Sequence, residues 1–174
     1  MLTPFRQDTN SLFLTQQLNE LGVVVAFKTV VGDNFDHLVS VARHALDRSD
    51  ILIFTGGLGP TEDDLTRECV AAALGVELKR DHDMVAAMYK RFAERRIPMP
   101  PNNAKQADII EGATVLPNSR GTAPGQFWRQ QSTVHPASSF CFPGLHTNSR
   151  HCGRENVHLA CRRSCHPRPS QPRY

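Results

Sequence analysis

One short stretch constrains this chain more than any other: Asp50 to Thr66, which reads DILIFTGGLGPTEDDLT. It opens on the apolar run Ile51-Leu52-Ile53-Phe54, with a charge before it and glycines after it. A run this short, and this rich in β-branched residues, predicts a buried strand rather than a helix. It breaks into Thr55-Gly56-Gly57-Leu58-Gly59-Pro60, and Leu65, Val70, Ala73 and Leu74 then predict a helix stopped by Gly75. Strand, glycine-rich turn and helix start make an anion cradle. Glycines let the backbone approach a ligand, and unpaired helix N–H groups point at its phosphate. Asp63 and Asp64 fall in the expected first turn, where they would cap the helix or hold a divalent cation. The same residues also fit a plain strand-to-helix turn, since acidic residues are favoured at helix starts.

At 174 residues the chain fits one domain with a buried core. It has no apolar run of the ~18 residues a membrane helix requires, and MLTPFRQDTN lacks the apolar segment of a secretory signal. A cytoplasmic location is expected. The net charge of +3 conceals two unlike parts. Residues 1–127 carry 13 Lys+Arg against 16 Asp+Glu, whereas residues 128–174 carry seven Arg, no Lys and one Glu. The domain-like part is acidic, which argues against a nucleic-acid-binding face on it. Cysteines divide at the same place. Cys69 falls on an alanine-rich helical face as a small core residue, and Cys141, Cys152, Cys161 and Cys165 all follow residue 127.

In chain order, Asp8-Thr9-Asn10-Ser11 offers caps for a helix with Phe13, Leu14, Leu18 and Leu21 at helical spacing. Val23 to Val31 reads as a strand. Gly32-Asp33-Asn34 then caps a helix that presents Leu38, Val41, Ala42 and Ala45 on one face. Asp33 stands directly after a strand, where α/β proteins place ligand sites, or it is a simple N-cap. Asp81 to Arg96 predicts a further helix with a core stripe of Met84, Val85, Met88 and Phe92. Its Arg91, Arg95 and Arg96 form a solvated face or reach an anion. Pro98, Pro100 and Pro101 make 97–101 a loop. Asn102, Asn103 and Lys105 offer two amides and a cation to ribose hydroxyls and a phosphate, or else begin a helix. Val115-Leu116 is a short strand, and Gly121 and Gly125 bound a turn that admits close backbone approach. This strand–helix alternation predicts a parallel, right-handed, three-layer α/β domain.

The string TGGLGPTEDDLT at Thr55–Thr66 resembles, nearly letter for letter, the signature of the N-terminal domain of the competence-damage-inducible (CinA) family. That domain is similar to the MoaB/Mog group of molybdopterin-binding domains. DTNS at Asp8–Ser11, VVGDN at Val30–Asn34, PPNNAKQA at Pro100–Ala107 and GTAPG at Gly121–Gly125 stand in the family's order, so the likeness covers Leu2 to Gly125. It implies a MoaB/Mog-like three-layer α/β/α fold with a mostly parallel sheet over residues 1–127. The family's first, central strand is missing here, which would leave a buried ladder unpaired.

The resemblance also implies a phosphate-bearing small-molecule ligand of the ADP-ribose or molybdopterin class, with no nucleic-acid or membrane partner and a homo-oligomer left open. For the CinA type it implies metal-dependent ADP-ribose hydrolysis. On that likeness Asp33 and Asp64 are catalytic, and Asp63 and Asp64 hold a divalent ion such as magnesium. Asp8 and Asn10 belong to the site rim. Thr55, Gly56, Gly57, Gly59 and Thr61 hold phosphate; Asn102, Asn103 and Lys105 hold ribose or phosphate; Gly121 and Thr122 form a second wall. The nicotinamide-nucleotide amidase domain of full-length relatives is absent, so that activity is not expected. Two alternatives stand beside this reading: molybdopterin recognition without hydrolysis, and an inactive remnant with an incomplete pocket.

Residues 128–174 follow other statistics. They show no sustained period and cluster Arg, His, Ser, Cys and five prolines, as an irregular basic tail would. Cys152, Cys161, Cys165 and His166 suggest a zinc site only weakly, because the spacing gives one half-site. A third reading rests on codon degeneracy. In a shifted frame, residues 139–148 permit the Leu-Pro-Gly-Pro-Pro segment with which the family continues. The tail is then an out-of-frame translation, with the frame lost near Gln126 to Trp128.

Overall fold

The computed structural model describes residues 8–119 and 121–129 in full, and the backbone of 138–142 and 156–162. In chain order the elements are α1 (Thr9–Glu20), β1 (Val24–Val31), α2 (Phe35–Arg48), β2 (Ile51–Thr55), α3 (Thr66–Leu74), β3 (Leu78–Arg80) and α4 (His82–Glu94). A 3-10 helix (Pro101–Ala107) follows, then β4 (Asp108–Ile110), β5 (Thr114–Leu116), β6 (Gly125–Arg129), β7 (Ser138–Phe142) and β8 (Asn156–Arg162). None of the helices is long and apolar enough to cross a membrane among the described residues.

The apolar run that opens the key stretch becomes β2, buried on both faces. Leu52 and Phe54 point one way, into a core with Ala42 and Ala45 of α2, Val70 and Ala71 of α3, and Ile110 of β4. Ile53 points the other way, against Leu14 of α1. Alternation along one strand thus produces three layers, with helices on both faces of the sheet. The α2 stripe behaves as its periodicity predicts, with Leu38, Ala42 and Ala45 buried. The α4 stripe follows it too, with Met88 buried and Met84, Val85 and Phe92 half-buried on an otherwise mostly exposed helix. The α1 stripe does not: Phe13 and Leu21 are exposed and Leu14 carries the contact.

The main sheet has the order β1-β8-β2-β7-β6-β5, and β3 and β4 form a separate antiparallel pair. Four of its six strands (β1, β2, β7 and β5) run the same way, but β8 and β6 are interleaved between them. Among the described residues β2–β7 is therefore the one parallel ladder, which corrects the expectation of mostly parallel pairing. The open ladder expected from a missing first strand is closed, because β8 pairs antiparallel with β1 on one side and β2 on the other. Strands β7 and β8 also correct the picture of 128–174 as irregular throughout. Edges already present in the sheet leave backbone groups to satisfy, and that demand outweighs a composition with little strand preference of its own. Cys152, Cys165 and His166 lie outside the described residues, as does the side chain of Cys161.

Candidate functional site

The loop between β2 and α3 is built by α3 reaching back under it. The hydroxyl of Thr66 donates to the carbonyl of Gly56 at 2.9 Å, and its N–H donates to that of Gly57 at 3.2 Å. Arg67, 1% exposed, donates from Nη1 to the carbonyl of Leu58 (3.2 Å) and from Nη2 to that of Gly59 (2.8 Å). Four successive carbonyls thus turn toward α3. The described chain has no cis peptide, and in a trans peptide the N–H of the next residue points opposite the carbonyl. The N–H groups of Gly57, Leu58 and Gly59 therefore turn outward; Pro60 has none to offer. Gly56 and Gly57 make the reversal with φ of 86° and 62°, a region side chains disfavour. Leu58 is buried and anchors the loop.

Beyond Pro60 the chain turns once before the helix. Asp64, 8% exposed, accepts from the N–H of Thr61 at 2.9 Å and from its hydroxyl at 2.5 Å, both on Oδ2. Its carboxylate lies against Gly59, where a Cβ would meet its Cγ at 2.8 Å. Lys105 closes this turn from the 3-10 helix. Its Nζ donates to the carbonyls of Thr61 (3.1 Å) and Asp64 (2.8 Å) and pairs with Glu68 Oε1 at 3.0 Å.

Several expectations change here. Asp63 and Asp64 precede α3, whose N-cap is Leu65, rather than sitting in its first turn. The first helical N–H, that of Thr66, is taken by Gly57, so the outward donors belong to the loop. Asn34, not Asp33, caps α2, accepting from His37 N at 3.0 Å. Asp8 caps α1, accepting from Ser11 N at 2.9 Å. Lys105, expected on a ligand, has all three donors engaged by protein. Among the described residues no hydrogen bond links Asp8, Asn10, Asn102, Asn103 or Thr122 to the loop. Gly121 is held elsewhere: its N–H bonds Asn118 Oδ1 at 3.2 Å and its carbonyl accepts from Arg91 of α4. Thr55 is buried at the end of β2, and Asp63 is exposed. Arg67 went unrecognised in the sequence, because a lone arginine in a helix's first turn carries no signal of where its guanidinium goes.

No three His, Cys, Asp or Glu side chains converge on a metal position among the described residues. Asp64 Oδ2 holds Thr61, which leaves Oδ1 as an acceptor; that fits an ion whose other ligands are phosphate oxygens and water, as magnesium tolerates. Behind the loop, Cys69 is buried with its thiol against the Phe35 carbonyl at 3.7 Å. Burial first, then the carboxylates of Glu68 and Asp36, push its pKa up to about 12, so it is a neutral core thiol rather than a nucleophile.

With this geometry in hand, the profile of a family described as "Probable molybdopterin binding domain" matches residues 2–160. The chain belongs to that family. The match continues past residue 127, where the composition changes. Its relatives include a CinA-like protein of Koribacter versatilis, 61% identical over 144 residues, which make up 83% of this chain and 35% of that protein. Another, from Acidobacterium capsulatum, is 64% identical over 127 residues, 73% of this chain and 31% of that protein. A crystal structure of the protein CinA from Thermoplasma acidophilum superimposes with a TM-score of 0.65 at 29% identity, covering 80% of this chain and 79% of that one. The MoaB/Mog-like α/β fold and the CinA-type domain are thereby established. The CinA-like chain spans about a third of the length of these curated relatives.

Proposed function

We propose that the Gly56–Asp64 loop of this CinA-like domain binds the diphosphate of a nucleotide sugar of the ADP-ribose class and supports its metal-dependent hydrolysis. One observation carries the reading: the carbonyls of Gly56, Gly57 and Leu58 are drawn inward by Thr66 and Arg67, which presents three successive N–H groups outward. An anion is the natural complement of such a surface. The 3-10 helix that carries Asn102 and Asn103 is pinned to the loop by Lys105, and on this reading their amides would serve ribose hydroxyls.

Hydrolysis adds water across the P–O–P bridge and yields AMP and ribose 5-phosphate. The chain's own contribution is to orient the diphosphate on the loop and to hold Asp64, fixed by Thr61, as an acceptor beside it. A divalent ion at Asp63 and Asp64 would supply polarisation of the phosphoryl oxygen and activation of water.

The test pairs calorimetric titration of ADP-ribose, with and without magnesium, with chromatographic detection of AMP. Asp64→Asn should weaken the magnesium-dependent part of binding and lower turnover about 100-fold or more, the scale of one lost electrostatic contact at the reacting centre. Equal turnover in Asp64→Asn and the parent chain would refute the assignment. The family's own description favours a second reading, in which the same loop takes the phosphate of a molybdopterin. Tight pterin binding with no AMP released would select it.

A further inference from the structure

We infer that Lys105 is a positioning residue: from the 3-10 helix it clamps the Thr61–Asp64 turn and so sets the Asp64 carboxylate, with Glu68 as its counter-charge. The inference rests on the reading of this loop as the anion site, but its central measurement does not need a ligand. An ammonium has three donors. Those of Lys105 meet the carbonyl of Thr61, the carbonyl of Asp64 and Glu68 Oε1, at 3.1, 2.8 and 3.0 Å. A phosphate would have to displace one of these to be touched.

The two carbonyls bracket the turn, and that turn carries the donor pair on Asp64, the N–H and hydroxyl of Thr61. The tie spans 41 and 44 residues of sequence, so it fastens two elements that nothing local would hold in register. Glu68 sits in the first turn of α3, and its second oxygen, Oε2, is buried with no partner among the described residues. A carboxylate this poorly served is held there by the lysine charge. The chain of influence runs from Glu68 to Lys105, then through the two turn carbonyls to Thr61 and on to Asp64.

The experiment uses the amide of Thr61, which reports its bond to Asp64, in proton–nitrogen correlation spectra. The indole N–H of Trp128, bonded to Glu111 O at 3.1 Å, serves as a remote folding control. Lys105→Met alone strands Glu68, so the decisive variant is Lys105→Met with Glu68→Gln, which removes both charges. In it the Trp128 signal should stay in place. The Thr61 amide should move toward its position in Asp64→Ala, and the Kd for magnesium pyrophosphate should rise about tenfold, the scale of one lost hydrogen bond. Lys105→Arg keeps the charge but cannot offer three acceptors the same geometry. It should move the Thr61 amide less, and it decides the matter should the double variant unfold. A Thr61 amide unmoved in both overturns the inference; if pyrophosphate affinity falls all the same, Lys105 contacts the anion directly. Should the parent chain bind neither pyrophosphate nor ADP-ribose, the anion reading fails, and the amide shift still decides the clamp.

Discussion

Gly59→Ala is the sharpest probe of the loop. Gly59 lies outside the positive-φ region that favours glycine, so its backbone accepts alanine without strain, unlike Gly56 and Gly57. The obstacle is a single group. A Cβ there would come within 2.8 Å of Asp64 Cγ and 2.9 Å of Oδ1. Asp64 is too short to swing aside and is only 8% exposed, so it can retreat only by giving up both bonds from Thr61. Hydrogen bonds to a charged acceptor are worth about 1.5–3 kcal/mol each; with partial rehydration of the displaced carboxylate, the net loss should be about 2–4 kcal/mol. For a chain of this size each kcal/mol lowers the Tm by about 2–4 °C. Urea unfolding followed by the single tryptophan, Trp128, measures the loss. The same substitution in an Asp64→Ala background should cost less than about 0.5 kcal/mol, since the obstacle is gone. An equal cost in both backgrounds would show that the collision with Asp64 is not what requires glycine.

Gln126, 1% exposed, accepts from Ile110 N at 2.8 Å and donates to the Asp108 carbonyl at 3.0 Å, tying β4 to β6. Gln126→Met keeps the volume but orphans two backbone groups, so urea unfolding should show a loss of about 2–4 kcal/mol. Gly75 ends α3 at φ 71° with nothing within 4 Å of a new Cβ, so Gly75→Ala should cost only the backbone strain, about 1 kcal/mol in the same assay. Arg96, at φ 56° after α4, is the converse, and Arg96→Gly should be neutral or slightly stabilising in thermal melts. The Cys69 pKa is raised from 9.0 to about 12, so the folded state favours the protonated thiol. Its contribution is complete below pH 9 and is lost as pH rises toward 12, at up to about 1.4 kcal/mol per unit. Unfolding free energies from pH 8 to 11 should therefore fall more steeply for the parent chain than for Cys69→Ala; parallel slopes would dismiss the thiol as the cause.

What was legible in the sequence follows from range. The strand Ile51–Thr55, the α2 stripe and the Gly75 stop each express a period or a backbone need confined to a few residues, and each appears in the structure. The α1 stripe was misjudged in part, with Phe13 and Leu21 exposed, because periodicity identifies an apolar face but not whether another element covers it. Long-range assignments failed more often. Nothing near Lys105 in sequence reveals that its amine ends on carbonyls 41 and 44 residues away, and a phosphate is the usual expectation for a lysine beside a glycine loop. Similarly, β8 is placed by the need of β1 and β2 for a partner between them, a demand recorded in those strands rather than in Asn156–Arg162.

Charge at the loop then bears on why the proposed ligand would require a cation. Among the described residues two basic side chains bond to it, and both are committed to protein: Arg67 to the carbonyls of Leu58 and Gly59, Lys105 to two carbonyls and Glu68. The outward face offers N–H dipoles, while Glu62 and Asp63 beside it are exposed and acidic, and Asp64 lies just beneath. Partial positive charges of this kind suit an anion in direct contact but do little against three carboxylates acting over a Debye length of about 8 Å. A bare diphosphate would meet favourable contacts and an unfavourable field. A divalent ion held at Asp64 would reverse that field without asking Arg67 or Lys105 to leave the bonds that shape the loop. Dependence on magnesium would on this view be a consequence of how the loop is held: among the described residues, the cations that adjoin the loop are those that fix its binding surface.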